Sequence, residues 1–269
     1  LGGARPSGPA AGITERDRGG ARGAAGIAWE APRSTTRLLA IHNSGTALVP
    51  YHDHNAVQML PVLIKRLKKG EMVALVSDAG TPLISDPGYR LVRKCIEDGL
   101  AVTALPGASA VLPALVLSGL PTDRFLFAGF PPPRPAARKR TLESLAVVPA
   151  TLVFLESARR LAASLADMAE VLGDRQAAVC REMTKMFEEA RRGTLPELAA
   201  HYALAGPPRG EVTVVVAPPG ERPPDPDEVD RLLGLAMAEG TLLDAAARVA
   251  AATGVPRRPV SGRAPRPNR

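Results

Sequence analysis

Short apolar runs and longer amphipathic stretches alternate through the first part of this chain. Residues 72–76 form an apolar run, and residues 88–98 follow with apolar positions at helical spacing. The same order, an apolar strand followed by a helix, is predicted again for residues 100–105 and 109–118. Strands that alternate with helices of about ten residues are typical of βαβ units and a largely parallel sheet. We therefore predict an α/β domain over residues 34–121, with a further helix over residues 56–69 that begins after Asn55.

A second α/β domain is predicted over residues 122–218, after the turn-forming sequence Pro121-Thr122-Asp123. Its pattern mixes strands and helices in a less regular order, so we expect some antiparallel pairs. Predicted strands cover residues 125–130, 151–155, 177–181 and 211–217, with a strand and turn near residues 186–195. Predicted helices cover residues 136–145 and 158–172.

The two ends differ in composition from these domains. Residues 1–33 are rich in Gly, Ala and Arg and lack apolar periodicity, so we expect a disordered or aberrant segment. Residues 219–255 contain a proline-rich linker and two short helices, at residues 228–238 and 242–253. Residues 256–269 form a basic tail without an apolar pattern.

The net charge of +7 is confined to the two ends. Residues 1–37 carry a net charge of +3 and residues 256–269 carry +5, which leaves −1 for residues 38–255. A high isoelectric point is therefore a weak argument for RNA binding by the folded part. No apolar stretch reaches the roughly 18 residues that a membrane span needs, and no secretory signal is evident. We expect a cytoplasmic protein that does not enter the membrane and has reduced cysteines.

Candidate ligand-binding residues cluster in the segment Ser77 to Gly88, which joins an apolar strand to a helix. In α/β sheets, small ligands bind at such loops, because backbone amides and side chains converge at the carboxyl ends of strands. A second loop of this type precedes the helix at residues 109–118. Phe154 and Leu155 fit either a pocket wall or a strand core. The candidate cofactor contacts are Asp78, Ala79, Gly80, Thr81, Pro82, Ser109, Ala110, Phe154 and Leu155.

Several separated motifs occur in the order seen in one known family. Residues 73–88 resemble the signature loop of the tetrapyrrole methylase superfamily, in its branch of small-subunit rRNA methyltransferase I. Several separated motifs in one order are much more specific than a lone Gly-rich loop. The supporting segments are residues 105–110, 117–121, 125–130, 138–145, 153–157 and 180–185.

The resemblance implies two α/β domains with S-adenosylmethionine in the cleft between them, and the residue pattern adds a small helical C-terminal segment. It also implies a homodimer that methylates a cytidine ribose 2′-hydroxyl of small-subunit rRNA. Glu156 and Glu182 each end a strand-like run and are candidate bases, while Lys185 is a candidate for lowering the hydroxyl pKa or binding phosphate. Candidate RNA contacts are Arg134, Arg138, Lys139, Arg140 and Arg181.

No metal is expected, because His52 and His54 alone make an incomplete site; we interpret them as polar surface or RNA-facing groups. Two other functions stay open. One is a methyltransferase of the same superfamily that acts on a corrin or tetrapyrrole precursor. The other is a catalytically silent RNA-binding remnant, because the glycine-containing loop that opens the family's first domain is not found in residues 1–33.

Overall fold

The computed structural model describes residues 2–3, 24–29, 47–77, 80–220, 226–237 and 241–253. The chain divides into two compact units, Leu1–Pro218 and Pro219–Arg269. The predicted basic tail at residues 256–269 lies outside the described residues.

The first unit begins with a five-stranded sheet in which all paired strands are parallel, as the alternating pattern predicts. The strands are β1 (Gly2–Gly3), β2 (Gly26–Trp29), β3 (Leu48–Pro50), β4 (Val73–Val76) and β5 (Ala104–Leu105). Their order across the sheet is β3-β2-β4-β1-β5.

Strand β2 is an ordered element within residues 1–33, where we predicted a disordered or aberrant segment; residues 4–23 and 30–33 lie outside the described residues. It pairs with β3 on one side and β4 on the other. Ile27 and Ala28 are 0% exposed there. Burying these two residues while both backbone edges are paired offsets the ordering cost of a glycine- and alanine-rich run. Four residues are too few to show a period in the sequence.

Helices α1 (Ala56–Lys68) and α2 (Tyr89–Glu97) pack on this sheet within two residues of their predicted bounds. Leu63 of α1 and Leu91 of α2 share a buried cluster with Leu75 of β4. Pro61 lies inside α1 without ending it. Asn55 precedes the helix, but its side chain accepts a hydrogen bond from the His52 N–H instead of capping α1.

The second sheet of this unit is mixed, as predicted, with the order β6-β7-β10-β8-β9. Strands β6 and β7 are parallel, and the other three pairs are antiparallel. Its strands are β6 (Phe125–Gly129), β7 (Thr151–Ser157), β8 (Gln176–Arg181), β9 (Glu189–Thr194) and β10 (Glu211–Val216).

Helices cover both faces of the second sheet. The main core joins one face to three helices, α4 (Pro135–Leu145), α5 (Leu161–Leu172) and α6 (Leu195–Ala205). The other face packs on α3 (Val111–Ser118), which ends at Gly119 in the left-handed region. Helix α3 precedes the predicted boundary at Pro121, yet its apolar residues belong to the second sheet. The boundary by packing therefore lies before α3.

Helix α6 was not predicted. A capping box opens it, in which the Thr194 hydroxyl accepts from the Glu197 N–H and the Glu197 carboxylate accepts from the Thr194 N–H. Threonine followed three residues later by glutamate is a recognised start signal, so the sequence does contain a sign of this helix.

The second compact unit contains α7 (Pro226–Met237) and α8 (Leu242–Thr253), close to the predicted bounds. Val229 and Leu233 pack against Ala245, Ala246 and Val249 in a small core. Within the described residues of the whole chain, no helix combines the length and apolar character needed to cross a membrane.

Candidate active site

The loops after β4 and β5 meet at the carboxyl edge of the first sheet. The Thr81 hydroxyl donates a hydrogen bond of 3.0 Å to the Ala108 carbonyl, and the Ser77 hydroxyl donates to the Gly80 carbonyl at 3.1 Å. This brings the predicted cofactor residues of the two loops, Gly80, Thr81 and Pro82 with Ser109 and Ala110, to one edge. Asp78 and Ala79, which are part of the same prediction, lie outside the described residues.

The loop after β4 has an unusual backbone. Leu83 and Ser85 have φ values of 73° and 63°, in the left-handed region that side chains other than Gly seldom adopt. Gly88 has φ 139°, and a Cβ there would lie 2.6 Å from Cδ2 of Leu75. Sparsely populated backbone conformations cluster at ligand-binding sites, where surrounding packing maintains them.

The carboxyl edge of the second sheet comes close to this loop. Strands β7 and β8 are both antiparallel to β10 and hence run in the same direction as β6. At the end of β6, a Cβ on Gly129 would lie 3.3 Å from Oγ of Ser85. The end of one sheet thus approaches the loop that leaves the other.

Glu182, Lys185 and Glu211 form a charged cluster at that edge of the second sheet. Lys185 Nζ lies 2.8 Å from Oε1 of Glu182 and 3.2 Å from Oε2 of Glu211. The Glu211 N–H also donates to Oε1 of Glu182 at 2.9 Å. Among the residues that the structure describes, no hydrogen bond or ion pair reaches Oε2 of Glu182. That oxygen can accept a proton or a hydrogen bond from a ligand.

The hydrogen bond from Lys185, followed by that from the Glu211 N–H, lowers the pKa of Glu182 from its ordinary 4.5. Partial burial acts to lower the pKa of Lys185, but the bonds to the two carboxylates outweigh it and raise the pKa above its ordinary value. At neutral pH the pair is therefore a carboxylate and an ammonium group.

Glycine at position 210 makes room for this cluster. Gly210 has φ 97°, and a Cβ there would overlap the Glu182 carboxyl group. Nearby, Arg181 pairs with Glu189 at 2.9 Å and donates to the Arg209 carbonyl. The sequence reasoning missed Gly210 and Glu211, since only strand pairing brings them beside Glu182.

Glu156 does not have the free oxygen that a base requires. Its side chain is 0% exposed, and Arg160 lies 2.7 Å from Oε1. The Ser157 N–H also donates to Oε1, and the Ser164 hydroxyl donates to Oε2. Both carboxylate oxygens thus bind residues in or just before the first turn of α5. We therefore infer that Glu156 stabilises the start of that helix.

Phe154 and Leu155 face opposite sides of β7. Phe154 is 1% exposed and belongs to the main core with α5 and α6. This burial corrects its proposed role as a pocket wall. Leu155 is half-buried, two residues after Val153, which faces α3. Leu155 therefore remains a candidate for contact with a ligand.

The basic helix α4 divides into buried and exposed cations. Arg138 is 3% exposed, and its guanidinium lies 2.6 Å from Asp167 and donates to the Pro132 and Pro133 carbonyls. This contradicts its predicted role as an RNA contact, because RNA cannot reach it. Lys139 pairs with Glu170 at 2.6 Å. Arg134 and Arg140 are exposed.

His52 and His54 lie after β3, at the same carboxyl edge of the parallel sheet as the loop after β4. Their ring centroids are 6.0 Å apart. Across the described part of the chain, no cluster of three or more His, Cys, Asp or Glu side chains could hold a metal ion.

Comparisons with known proteins agree with this architecture. A family described as Tetrapyrrole (Corrin/Porphyrin) Methylases matches residues 13–199, and one described as RsmI C-terminal HTH domain matches residues 223–260. A crystal structure of diphthine synthase has a TM-score of 0.59 with 16% identity, over 80% of this chain and 88% of that chain. At that identity, the likeness shows the fold alone.

Two relatives share far more of the sequence. Ribosomal RNA small subunit methyltransferase I of Mesorhizobium japonicum is 50% identical over 229 residues, 85% of this chain and 78% of the relative. The protein of the same name from Halalkalibacterium halodurans is 47% identical over 203 residues, 76% of this chain and 70% of the relative. The chain therefore belongs to the tetrapyrrole methylase family and, within it, to the small-subunit rRNA methyltransferase I branch.

Proposed function

We propose that this protein transfers a methyl group from S-adenosylmethionine to the ribose 2′-hydroxyl of a cytidine in small-subunit rRNA. The observation that carries the proposal is the approach of Ser85, in the loop after β4, to Gly129 at the end of β6. The loop that we propose as the cofactor loop therefore lies beside the end of β6, at the same edge of the second sheet as the charged cluster. The branch membership favours an rRNA substrate over a corrin precursor.

The residues at the carboxyl edge of the first sheet fit S-adenosylmethionine, which is a nucleoside that carries an amino acid group. Thr81 and Ser109 supply hydroxyl groups, and Ala110 lies directly before α3, whose first N–H groups can meet a carboxylate. Asp78, one residue after the buried Ser77, is suited to a ribose hydroxyl or an ammonium group. S-adenosylmethionine bound here would supply an activated methyl group, whose C–S bond is replaced by a C–O bond to the ribose.

The Glu182–Lys185 pair provides the other half of the chemistry. Lys185, held as an ammonium group, hydrogen-bonds the ribose oxygen or the adjacent phosphate and orients it. Oε2 of Glu182 accepts the hydroxyl proton. A carboxylate with a lowered pKa is a weak base, but a hydroxyl oxygen that has gained a carbon substituent is a strong acid, so a late proton transfer to Glu182 is favourable. Orientation supplies much of the rate.

RNA phosphates would be held by the cations that remain accessible. Arg181 borders the charged cluster, Arg134 lies directly before α4, and Lys139 and Arg140 lie on α4. Phosphate contacts of this kind position the RNA without reading its sequence. We further propose that the protein acts as a homodimer in the cytoplasm, where ribosomal subunits are present.

The site of methyl transfer tests the proposal directly. Isolated small subunits that lack the modification are incubated with the protein and labelled S-adenosylmethionine, and the modified nucleotide is identified by nuclease digestion and mass spectrometry. We expect one 2′-O-methylcytidine in the small-subunit rRNA. A methyl group on a base, or on a corrin precursor in a parallel reaction, contradicts the proposal. If the protein binds small subunits but transfers no methyl group, the result favours the alternative of a catalytically silent RNA-binding remnant.

Replacing Asp78 by alanine is expected to weaken S-adenosylmethionine binding by about 1–3 kcal/mol, the cost of losing the hydrogen bond that we propose between its carboxylate and the cofactor. Isothermal titration calorimetry measures the affinity. Asp123→Ala is the matched control, since Asp123 is exposed and lies outside both loops. If the Asp78 variant and the control bind S-adenosylmethionine with equal affinity, Asp78 does not contact the cofactor and its role is confined to the turn.

A further inference from the structure

A groove between α1 and α2 of the first domain is lined by four lysines, three apolar residues and one aspartate. Its volume is about 520 Å³. Leu60, Pro61 and Ile64 line it with apolar atoms, and α1 and its end add Lys65, Lys68 and Lys69. Helix α2 and the residue after it add Lys94 and Asp98. We call this the lysine groove.

The charges in the lysine groove do not balance. Asp98 pairs with Lys68 at 2.8 Å and with Lys94 at 2.7 Å. One carboxylate is therefore shared by two ammonium groups. Lys65 and Lys69 have no ion-pair partner among the residues that the structure describes. Lys94 also lies 4.0 Å from Glu97, outside the groove, so Lys65 and Lys69 are the two groove lysines whose charge no described carboxylate offsets.

The helix dipole does not account for this arrangement. Cations in the last turn of a helix stabilise its carboxyl end, and lysines of α1 fit that role. The dipole of α1 does not explain why Lys94 of a second helix lines the same cavity. By contrast, Arg93 of α2 lies outside the groove and pairs with Glu97 at 2.8 Å. Lys65 and Lys69, unlike Arg93, thus line one cavity without a carboxylate partner among the described residues.

We infer that the lysine groove binds the phosphodiester backbone of the RNA substrate, at a distance from the methylated ribose. This inference rests on the proposed function. Lysine ammonium groups act as point charges toward phosphate oxygens and impose little geometric specificity. The cavity has no aromatic lining residue on which a base could stack, which favours backbone contact. Helix α1 starts at the site edge and is 13 residues long, roughly 20 Å. The groove therefore serves RNA that flanks the target.

Salt dependence of substrate binding tests the inference. KM for isolated small subunits is measured between 50 and 200 mM salt for the wild type and for Lys65→Gln/Lys69→Gln. Each contact between a lysine and a phosphate makes the affinity fall more steeply as the salt concentration rises. Between 50 and 200 mM salt, the wild type should therefore lose roughly tenfold more affinity than the variant that lacks two lysines. Lys65→Arg/Lys69→Arg keeps both charges and should retain the wild-type salt dependence.

Arg93→Gln/Arg124→Gln is the matched control, because it removes two exposed cations outside the groove. It should keep nearly the wild-type salt dependence. An unchanged slope in Lys65→Gln/Lys69→Gln, or an equal change in the control, overturns the inference. Calorimetry with S-adenosylmethionine should give the same affinity in all variants. Failure of the wild type to methylate small subunits instead contradicts the proposed function, so the two failures are distinguishable.

Discussion

Arg138→Leu is expected to lower the free energy of unfolding by about 3 kcal/mol, because the largely buried carboxylate of Asp167 loses its close partner and keeps only Lys139, at 3.7 Å. The variant also loses the hydrogen bonds that Arg138 donates to the Pro132 and Pro133 carbonyls. Those bonds tie the loop after β6 to α4. Urea denaturation of the full chain, followed by far-ultraviolet circular dichroism, measures the change.

Two variants separate this effect from loss of charge alone. Arg140→Leu removes an exposed arginine from the same helix and should change stability by less than about 0.5 kcal/mol. Arg138→Leu/Asp167→Leu replaces the buried pair by apolar groups and should recover most of the lost stability. Unchanged stability in Arg138→Leu, together with weaker binding of small subunits, would show that Arg138 contacts RNA after all.

Glu182→Gln is expected to reduce kcat about 10²-fold to 10³-fold, the usual contribution of a positioned proton acceptor. The amide keeps the size of the side chain and can still accept from the Glu211 N–H, but it cannot take up the hydroxyl proton. KM for S-adenosylmethionine should stay within about twofold of the wild type, since the cofactor contacts lie on other residues. Steady-state methyl transfer to small subunits gives both constants.

The pH dependence of kcat distinguishes this role from a structural one. Glu182 is ionised above its pKa, which lies below 4.5, so wild-type kcat should stay level from pH 8 to about pH 5 and fall only at more acidic pH. A fall centred near neutral pH would instead assign proton transfer to a group other than Glu182. Glu143→Gln, an exposed carboxylate on α4, is the matched control and should leave kcat unchanged.

The sequence predicts most elements because their stabilising contacts are local or periodic. The helices at 56–69 and 88–98 and the strand at 72–76 fall within two residues of their observed bounds. Each of these segments has several apolar residues at one spacing. Strand β2 was missed because it is only four residues long and lies within a composition typical of disorder.

Candidate site residues could be predicted by type, but their roles depend on distant partners. Glu156 and Glu182 both end strand-like runs, and the sequence does not rank them. In the folded chain, Ser164 and Arg160 bind the two carboxylate oxygens of Glu156. By contrast, Oε2 of Glu182 has no hydrogen bond or ion pair among the described residues. Arg138 and Arg140 differ in the same way, since only Arg138 reaches Asp167.

The sequence by itself determined most of the strands and helices, the loops that follow β4 and β5, and the resemblance to the methylase family. The elements follow from hydrophobic periodicity, and the resemblance follows from several separated motifs in one order. Only the tertiary structure decided which charged side chains are buried, which are neutralised and which remain accessible. The reason is physical: a charge leaves water only where opposite charges or hydrogen-bond donors meet it, and chain folding alone brings Asp167 to Arg138 or Glu211 to Lys185.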